Sequence, residues 1–329
     1  MSRSVRAGIA LLLGCLLVLS GCSMGTLVEP TGGGTDRLRI MVPNVPGGGY
    51  DVTARTAVSI AERSGIADER IAVFNLAGDQ GLVALSRLLD ETGNGRLAML
   101  MGLGVVGATI ATGSSHRVTD GTPIARLLQE PEAVLVPADS PYRDLAGLIA
   151  AWRADPTAVA IGGGSAVGGP DHLMTMQLAQ ALGLDPRQVH YGTFDGGGAL
   201  LPALLDDRID VAVSSLVEYT EQIRSGQLRV LAVSGPDRVT GVDAPTLTEA
   251  GVDVVFTNWR GVIAPPGISA ADRAALTELF AGLEQTPEWQ QKLAENHWTG
   301  AFLAGDEFDA FLHAEDQRVR DTLAELGLG

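Results

Sequence analysis

The sequence predicts an α/β protein of two domains, and three observations carry that reading. Short apolar runs alternate with longer helical ones, the alternation falls into two separate series, and in each series glycine-rich turns stand directly before helices. A β–α–β order with short connections is what a parallel sheet wrapped by helices requires. Ligands of such sheets bind outside the carboxyl ends of the strands, where unpaired N–H groups and the helix dipole favour anions.

The first series opens with "LRIMVP" (38–43) as a strand. "DVTARTAVSIAERSG" (51–65) follows as a helix, its apolar positions three to four apart and its end marked by Gly65. "RIAVFNLAG" (70–78) reads as strand and loop, "QGLVALSRLLDE" (80–91) as helix and "RLAMLMG" (96–102) as strand. Between the first strand and helix lies "PNVPGGGYD". Three consecutive glycines there free the backbone to take positive φ and bring its N–H groups close to a partner. A Cβ at Gly48 or Gly49 is expected to fill the space that an anion on those N–H groups needs.

The second series begins near residue 133: "EAVLVPADSPY" as strand and turn, then "DLAGLIAAWRAD" as helix. "AVAIGGGSAVGGPDHLMTMQLAQALG" gives strand, glycine-rich turn and helix. "VHYGTFDGGGALLPALLDDRIDVAVSSLVEY" repeats the pattern, and "LRVLAVS" adds a strand. Two such domains aiming glycine-rich helix starts at a shared cleft describe a clamshell receptor for a small anion.

Composition narrows the partner. The chain has 329 residues, 46% of them hydrophobic, enough for one large or two ordinary cores. Its 39 acidic and 23 basic side chains give a net charge of −16, and the arginines are scattered singly, so nucleic acid is not an expected partner. At the N-terminus, Arg3 and Arg6 precede the apolar "AGIALLLGCLLVLS", too short for a comfortable membrane span, and "LSGC" closes it. This resembles a bacterial lipoprotein signal: residues 1–21 as signal peptide, Cys22 as the lipidated first residue of the mature chain and 22–36, rich in Gly and Thr, as a flexible tether. "LLGC" ending at Cys15 is a rival cleavage site, but it leaves a short apolar region and strands further apolar residues on the mature N-terminus. Processing at Cys22 leaves 21 basic against 39 acidic side chains, a charge of −18, and no cysteine for a disulfide.

Six stretches, in order and spacing, resemble the solute receptors of tripartite tricarboxylate transporters: "VPNVPGGGYDVTAR", "GGGSAVGGPDHL", "VHYGTFDGGGALLPALLDDRIDVAVSSLVE", "GQLRVLAVSGPDR", "APTLTEAGVDVVFTNWRGVIAPPGIS" and "DEFDAFLHAEDQRVRDTLAELGL". The resemblance covers nearly all of residues 37–328. It implies a periplasmic-binding-protein-like (Venus flytrap) fold of two α/β domains with a ligand cleft between them. On that pattern residues 37–131 and 236–329 form domain I and 132–235 form domain II. It also implies capture of a small di- or tricarboxylate, delivery to membrane permease subunits, attachment to the outer face of the cytoplasmic membrane through the lipid alone, and a monomer. The chain departs from the family where "HYGTFDGGGALLPA" replaces the usual "PYKGGGPA", with no Lys after the Tyr, and where the stretch between Ser165 and His172 is longer. Both changes bear on ligand identity.

Expected ligand contacts in domain I are Pro46, Gly47, Gly48, Gly49, Tyr50 and Asp51, with Gly78, Asp79 and Gln80 on the second strand-to-helix turn beside Asn75. Asp51 either caps the helix it opens or also orders a water on the ligand. In domain II they are Gly163, Gly164 and Ser165, then Thr193 with Gly196, Gly197 and Gly198, and Ser214 and Ser215 at a strand's carboxyl end. Glu218 close by would repel a polycarboxylate unless it meets water or a hydroxyl. Arg260 in "TNWRG" serves either a salt bridge at the hinge or a ligand contact, and local dipoles rather than long-range steering must attract an anion to so acidic a protein.

Catalytic readings find little footing. "PGGGYD" lacks the G-x-G-x-x-G spacing, no G-x-x-x-x-G-K-[ST] occurs, and the one lysine, Lys292, is far from any glycine loop. An exported hydrolase built on Ser165, His172 and Asp195 is the rival from another class, although "GGSAV" is not the G-x-S-x-G elbow. A receptor for a non-carboxylate solute is the second alternative. His116, His172, His190, His297 and His313 are scattered without metal-ligand spacing, so neither metal nor cofactor is expected.

Overall fold

The computed structural model describes residues 37–327. The signal peptide (1–21), the lipidation site Cys22 and the tether expected from the sequence lie outside the described residues.

The chain begins with β1 (Arg39–Val42), α1 (Gly49–Arg63), β2 (Ala72–Asn75), α2 (Leu82–Asp90), β3 (Leu97–Gly102) and α3 (Leu103–Ala111). It then runs through β4 (Thr122–Glu130) and β5 (Glu132–Pro137) to α4 (Leu145–Ala154), β6 (Ile161–Gly163) and α5 (Pro170–Ala181). Next come β7 (Tyr191–Thr193), α6 (Gly197–Leu205), β8 (Val211–Ser215), α7 (Thr220–Arg224) and β9 (Leu228–Val233). It closes with β10 (Asn258–Ala264), α8 (Ala270–Glu284), α9 (Pro287–Glu295), β11 (Thr299–Ala304) and α10 (Gly305–Glu325). Two sheets result, in the orders β11-β4-β10-β3-β1-β2 and β7-β6-β8-β5-β9. We call the parts of the chain around them the first and second lobes.

The strands alternate as a sheet covered on both faces requires. In β1, Met41 enters one core and Ile40 and Val42 another; in β3, Leu97, Met99 and Met101 face the first core and Ala98 and Leu100 the second. The first core continues from the first lobe into the second through Val134, Trp152, Ile161 and Leu173. On α10 the buried positions Phe308, Leu312, Glu315, Val319 and Leu323 recur every three to four residues, and Trp259 Nε1 donates to Glu315 Oε2 at 2.8 Å. Helix starts carry capping side chains where the sequence supplies them: Asp144 accepts from Gly147 N–H at 2.8 Å and Ser269 from Asp272 N–H at 3.0 Å.

The parallel arrangement read from the sequence holds for β2-β1-β3 and for β7-β6-β8. Both sheets are nevertheless mixed. β10 runs antiparallel to β3 and β4, and β5 antiparallel to β8 and β9. Of the antiparallel strands, β4, β5, β9 and β10 carry the chain between the sheets, while β11 pairs with β4 at the edge of the first sheet. β5 is entered from β4 through Pro131, and β10 follows β9 after the long connection 234–257. A strand reached from the other sheet has no crossover helix to hold it parallel. Ser234 ties the two passages together: its Oγ accepts from Glu132 N–H and donates to Phe256 O, both at 2.8 Å.

Helix α3 is absent from the sequence reading. "LGVVGATIA" is buried from Leu103 to Ile110 except at Gly104, so it has no polar face to give a helical period. It lies where the lobes touch: a Cβ on Gly107 would stand 1.7 Å from Gly168 O, and one on Gly104 would stand 3.7 Å from Pro170 Cδ. Glycine at 107 is what lets α3 approach the turn before α5.

Candidate functional site

In the first lobe, α1 starts at Gly49 with Gly48 as its N-cap. Asp51 does not occupy the cap position but reaches back from the first turn, accepting from Gly47 N–H at 2.9 Å, Arg55 Nε at 2.8 Å and Asn75 Nδ2 at 2.9 Å. Burial works to raise the Asp51 pKa, and these three donors overcome it and hold the carboxyl below its ordinary value. Asn75 also donates to Asn44 O at 3.0 Å, so the end of β2 is pinned to the glycine loop. The N–H groups of Gly49, Tyr50 and Asp51, the first turn of α1, donate to no group among the described residues.

The glycines serve a purpose the sequence did not show. The space expected beside them is filled by the chain's own side chains: a Cβ on Gly48 would stand 2.2 Å from Asn44 Nδ2, and one on Gly49 2.6 Å from Arg260 Nη2. Arg260, in β10, thus lies against the start of α1 and adds its positive charge to the helix dipole. Its Nη1 donates to Thr53 Oγ1 at 2.8 Å, its Nη2 pairs with Glu130, and its guanidinium carbon sits 6.0 Å from the Tyr50 ring centroid and 5.7 Å from that of Trp298. Glu130 also accepts from Trp298 Nε1 at 3.0 Å and from Ser215 Oγ of the second lobe at 2.8 Å. The Arg260–Glu130 pair is therefore a knot at the crossing between lobes. Tyr50, half-buried, turns its hydroxyl to the N–H groups of Gly104 and Val105 at the start of α3, and burial pushes its pKa up to about 12.

The second strand-to-helix turn of this lobe lies beside the glycine loop, a Cβ on Gly81 standing 3.1 Å from Pro43 Cβ. Gly78, Asp79, Gln80 and Gly81 take φ of 142°, 46°, 58° and 96° in succession, and all but Gly81 are exposed. Two adjacent non-glycine residues at positive φ are a strained arrangement of the kind that clusters at ligand sites. Pro46, also exposed, precedes the glycines.

In the second lobe the two glycine turns meet. Gly196 N–H donates to Gly164 O at 2.9 Å, and a Cβ on Gly164 would stand 3.0 Å from the Gly196 carbonyl carbon. Gly163 is buried, with Tyr191 Oη 2.0 Å and Asp171 Cβ 2.6 Å from where its Cβ would be; the Gly197 Cβ position lies 2.1 Å from Glu218 Oε2 and 2.9 Å from Tyr219 Oη. Gly198 and Thr193 are exposed, while Ser214 and Ser215 are buried at the end of β8. Ser165 Oγ accepts from Asp171 N–H at 3.1 Å, and His172 Nδ1 accepts from Gly168 N–H at 3.3 Å. No hydrogen bond joins Ser165 to His172 among the described residues, and Asp195 is exposed. A nucleophile–base pair of the kind nucleophilic catalysis uses is not assembled there.

Sequence reasoning flagged Glu218 but missed Asp171 and Glu132, which make this wall acidic. Asp171 Oδ2 accepts from Gly164 N–H at 2.6 Å, and the Glu218 carboxylate faces Gly197 N–H. Glu132 is fully buried, and among the described residues neither of its carboxyl oxygens is hydrogen-bonded. Desolvation raises all three carboxyls, although the outer part of Glu218, unlike Asp171 and Glu132, remains exposed. Glu132 is pushed well above its ordinary value, with Asp171, Glu130 and Glu218 adding to the rise and Arg260 opposing it. Asp171 reaches about 7, helped by Glu218, and Glu218 itself is raised by burial and by Glu130. Burial holds His172 near 4, so it is neutral. A signal existed in "LLQEPEAVLV", two glutamates flanking a proline inside an apolar run.

These shifts set the pH response of the unliganded protein. An acid whose pKa is higher folded than unfolded destabilises the fold once both states are ionised, so its stabilising protonation is lost as pH rises through the folded value. Stability is expected to rise as pH falls from about 8 to about 6.5, with Asp171→Asn reducing the slope. Below His172's ordinary value of 6.5 the unfolded chain takes up a proton that the folded one refuses, and the rise is opposed. Denaturation midpoints across that range read the slope; midpoints that fall from pH 8 to 6.5 contradict the assignment.

A cavity of about 750 Å³ opens elsewhere, lined among others by Ile223, Arg224, Arg229, Val242 and His297. None of the sequence-predicted ligand contacts lines it, and none of its lining residues begins a helix of eight or more residues.

Comparison with known proteins places this geometry. The model of the tripartite tricarboxylate transporter family receptor matches residues 71–328. Protein BugT of Bordetella pertussis is 26% identical over 299 residues, covering 88% of this chain and 90% of the relative. Among solved structures, an R. palustris protein with adipate superposes with a TM-score of 0.79 at 23% identity, covering 88% of this chain and 97% of that one. MatC from Rhodopseudomonas palustris with bound malate gives 0.74 at 21% identity, covering 87% and 98%. The periplasmic binding protein BugD gives 0.77 at 19% identity, covering 89% and 98%. The two-lobed α/β architecture is shared with all three.

Proposed function

The chain belongs to the tripartite tricarboxylate transporter receptor family, and on that premise we propose that it is an extracytoplasmic receptor that captures a small carboxylate between its lobes and delivers it to membrane permease subunits. The observation that carries this reading is the free first turn of α1, three unpaired N–H groups backed by the Arg260 guanidinium. The malate and adipate bound by its structural neighbours support a carboxylate ligand. We further assign residues 37–131 with 236–329 to one domain and 132–235 to the other, closing about the passages that Ser234 ties together. The ligand touches the turns 46–51, 78–80 and 163–165, Thr193 with 196–198, and 214–215. Cys22, after removal of 1–21, anchors the receptor by lipid to the outer face of the cytoplasmic membrane. No helix among the described residues is long and apolar enough to cross a membrane.

A thermal-shift screen of the chain from residue 23 onward against citrate, tricarballylate, C4 to C6 dicarboxylates, aromatic carboxylates and amino acids tests the reading. A ligand at a hundredfold excess over Kd adds about 2.7 kcal/mol to the folded state, and at least one carboxylate is expected to produce such a shift. Ester turnover that disappears with Ser165→Ala would favour a hydrolase instead.

A further inference from the structure

The start of α1 in the first lobe and the glycine turns of the second present opposite chemistry. On the first, the α1 start offers free N–H groups and Arg260. On the second, the donors that a second ligand carboxylate would need are engaged by the chain's own acids, Gly164 N–H by Asp171 and Gly197 N–H facing Glu218. One observation there points to a ligand group: Glu132 is fully buried with neither carboxyl oxygen hydrogen-bonded among the described residues. A buried acceptor left alone costs about 1–3 kcal/mol, so such groups are kept where something else satisfies them. Glu218 itself retains solvent access. The groups that face it are Glu130 and Arg260 from the first lobe and Asp171, Glu132 and the α6 start from the second. No three of the described acidic, His or Cys side chains are placed to hold a metal ion, which favours an organic cation over a bare one.

We infer that the ligand is bipolar, an amino-carboxylate whose carboxylate lies on the start of α1 and whose ammonium faces the Asp171–Glu218–Glu132 wall. This rests on the receptor reading and narrows its substrate class. An ammonium has three donors and the charge that an acidic wall favours, whereas a second carboxylate would meet acceptors and like charge. The net charge of −16 acts in the same direction.

The test is calorimetric titration at pH 7.5 with skeleton-matched pairs: succinate and aspartate, glutarate and glutamate, butyrate and γ-aminobutyrate. At least one amino member is expected to bind ten times more tightly than its partner, and Glu218→Gln and Asp171→Asn to cut that preference tenfold or more while both variants still melt cooperatively. Dicarboxylates that bind as tightly as their amino counterparts overturn the inference and leave the receptor reading intact. So does dicarboxylate affinity that rises about tenfold per unit of falling pH, because the wall is then protonated and donates to a second carboxylate. Absence of binding by every carboxylate and amino acid, in this test and in the wider screen, overturns both.

Discussion

Arg260→Met is expected to destabilise the protein by about 3–5 kcal/mol, the usual cost of removing one partner from a buried ion pair. Both side chains are nearly inaccessible, at 3% for Arg260 and 2% for Glu130. The loss strands more than one charge. Glu130 keeps its bonds to Ser215 and Trp298 but loses its guanidinium partner in the interior, and it lies close to Glu132 and Glu218, whose repulsion Arg260 offsets. The same substitution empties the space against Gly49, so the start of α1 loses its positive backing. Denaturant titration reads the stability. The double variant Glu130→Gln, Arg260→Met should recover a large part of the loss, since no orphan charge is left. A single-variant loss under about 1 kcal/mol would show that water already screens the pair.

Glu132→Met should do the reverse. An unpartnered buried carboxyl costs stability, and an apolar side chain of similar volume removes that cost, so unliganded stability should increase by about 1–3 kcal/mol at pH 8. Binding of an amino-carboxylate should fall tenfold or more, because the wall loses the acceptor that its ammonium satisfies. Stability bought by giving up affinity is the mark of a functional group. Loss of stability together with unchanged affinity would make Glu132 a structural residue.

The β–α alternation, the glycine turns before helices and the periodic apolar faces were legible because each depends on local spacing. The strands β1, β2, β3, β5, β6, β7, β8 and β9 lie inside the stretches read as strands. The antiparallel placement of β5 and β10 was not legible, because it depends on how the chain passes between sheets. Helix α3 escaped because a helix buried all round has no polar period. At the site, the sequence located Gly47–Gly49, Gly163–Gly164 and Gly196–Gly198 but not what stands beside them. Glycine records that something comes close; only the fold shows that it is Asn44, Arg260, Tyr191, Asp171 and Glu218. The pairing of Glu130 with Arg260, 130 residues apart in sequence, carries no local signal at all.

The most direct measurement is a crystal structure of the chain from residue 23 onward with the tightest carboxylate from the screen. A carboxylate oxygen is predicted within hydrogen-bonding distance, about 2.7–3.2 Å, of the N–H groups of Gly49 and Tyr50, with the far end of the ligand toward Glu218. Ligand seated instead in the cavity lined by Arg224, Arg229 and His297, with the α1 start still unpaired, would contradict the account.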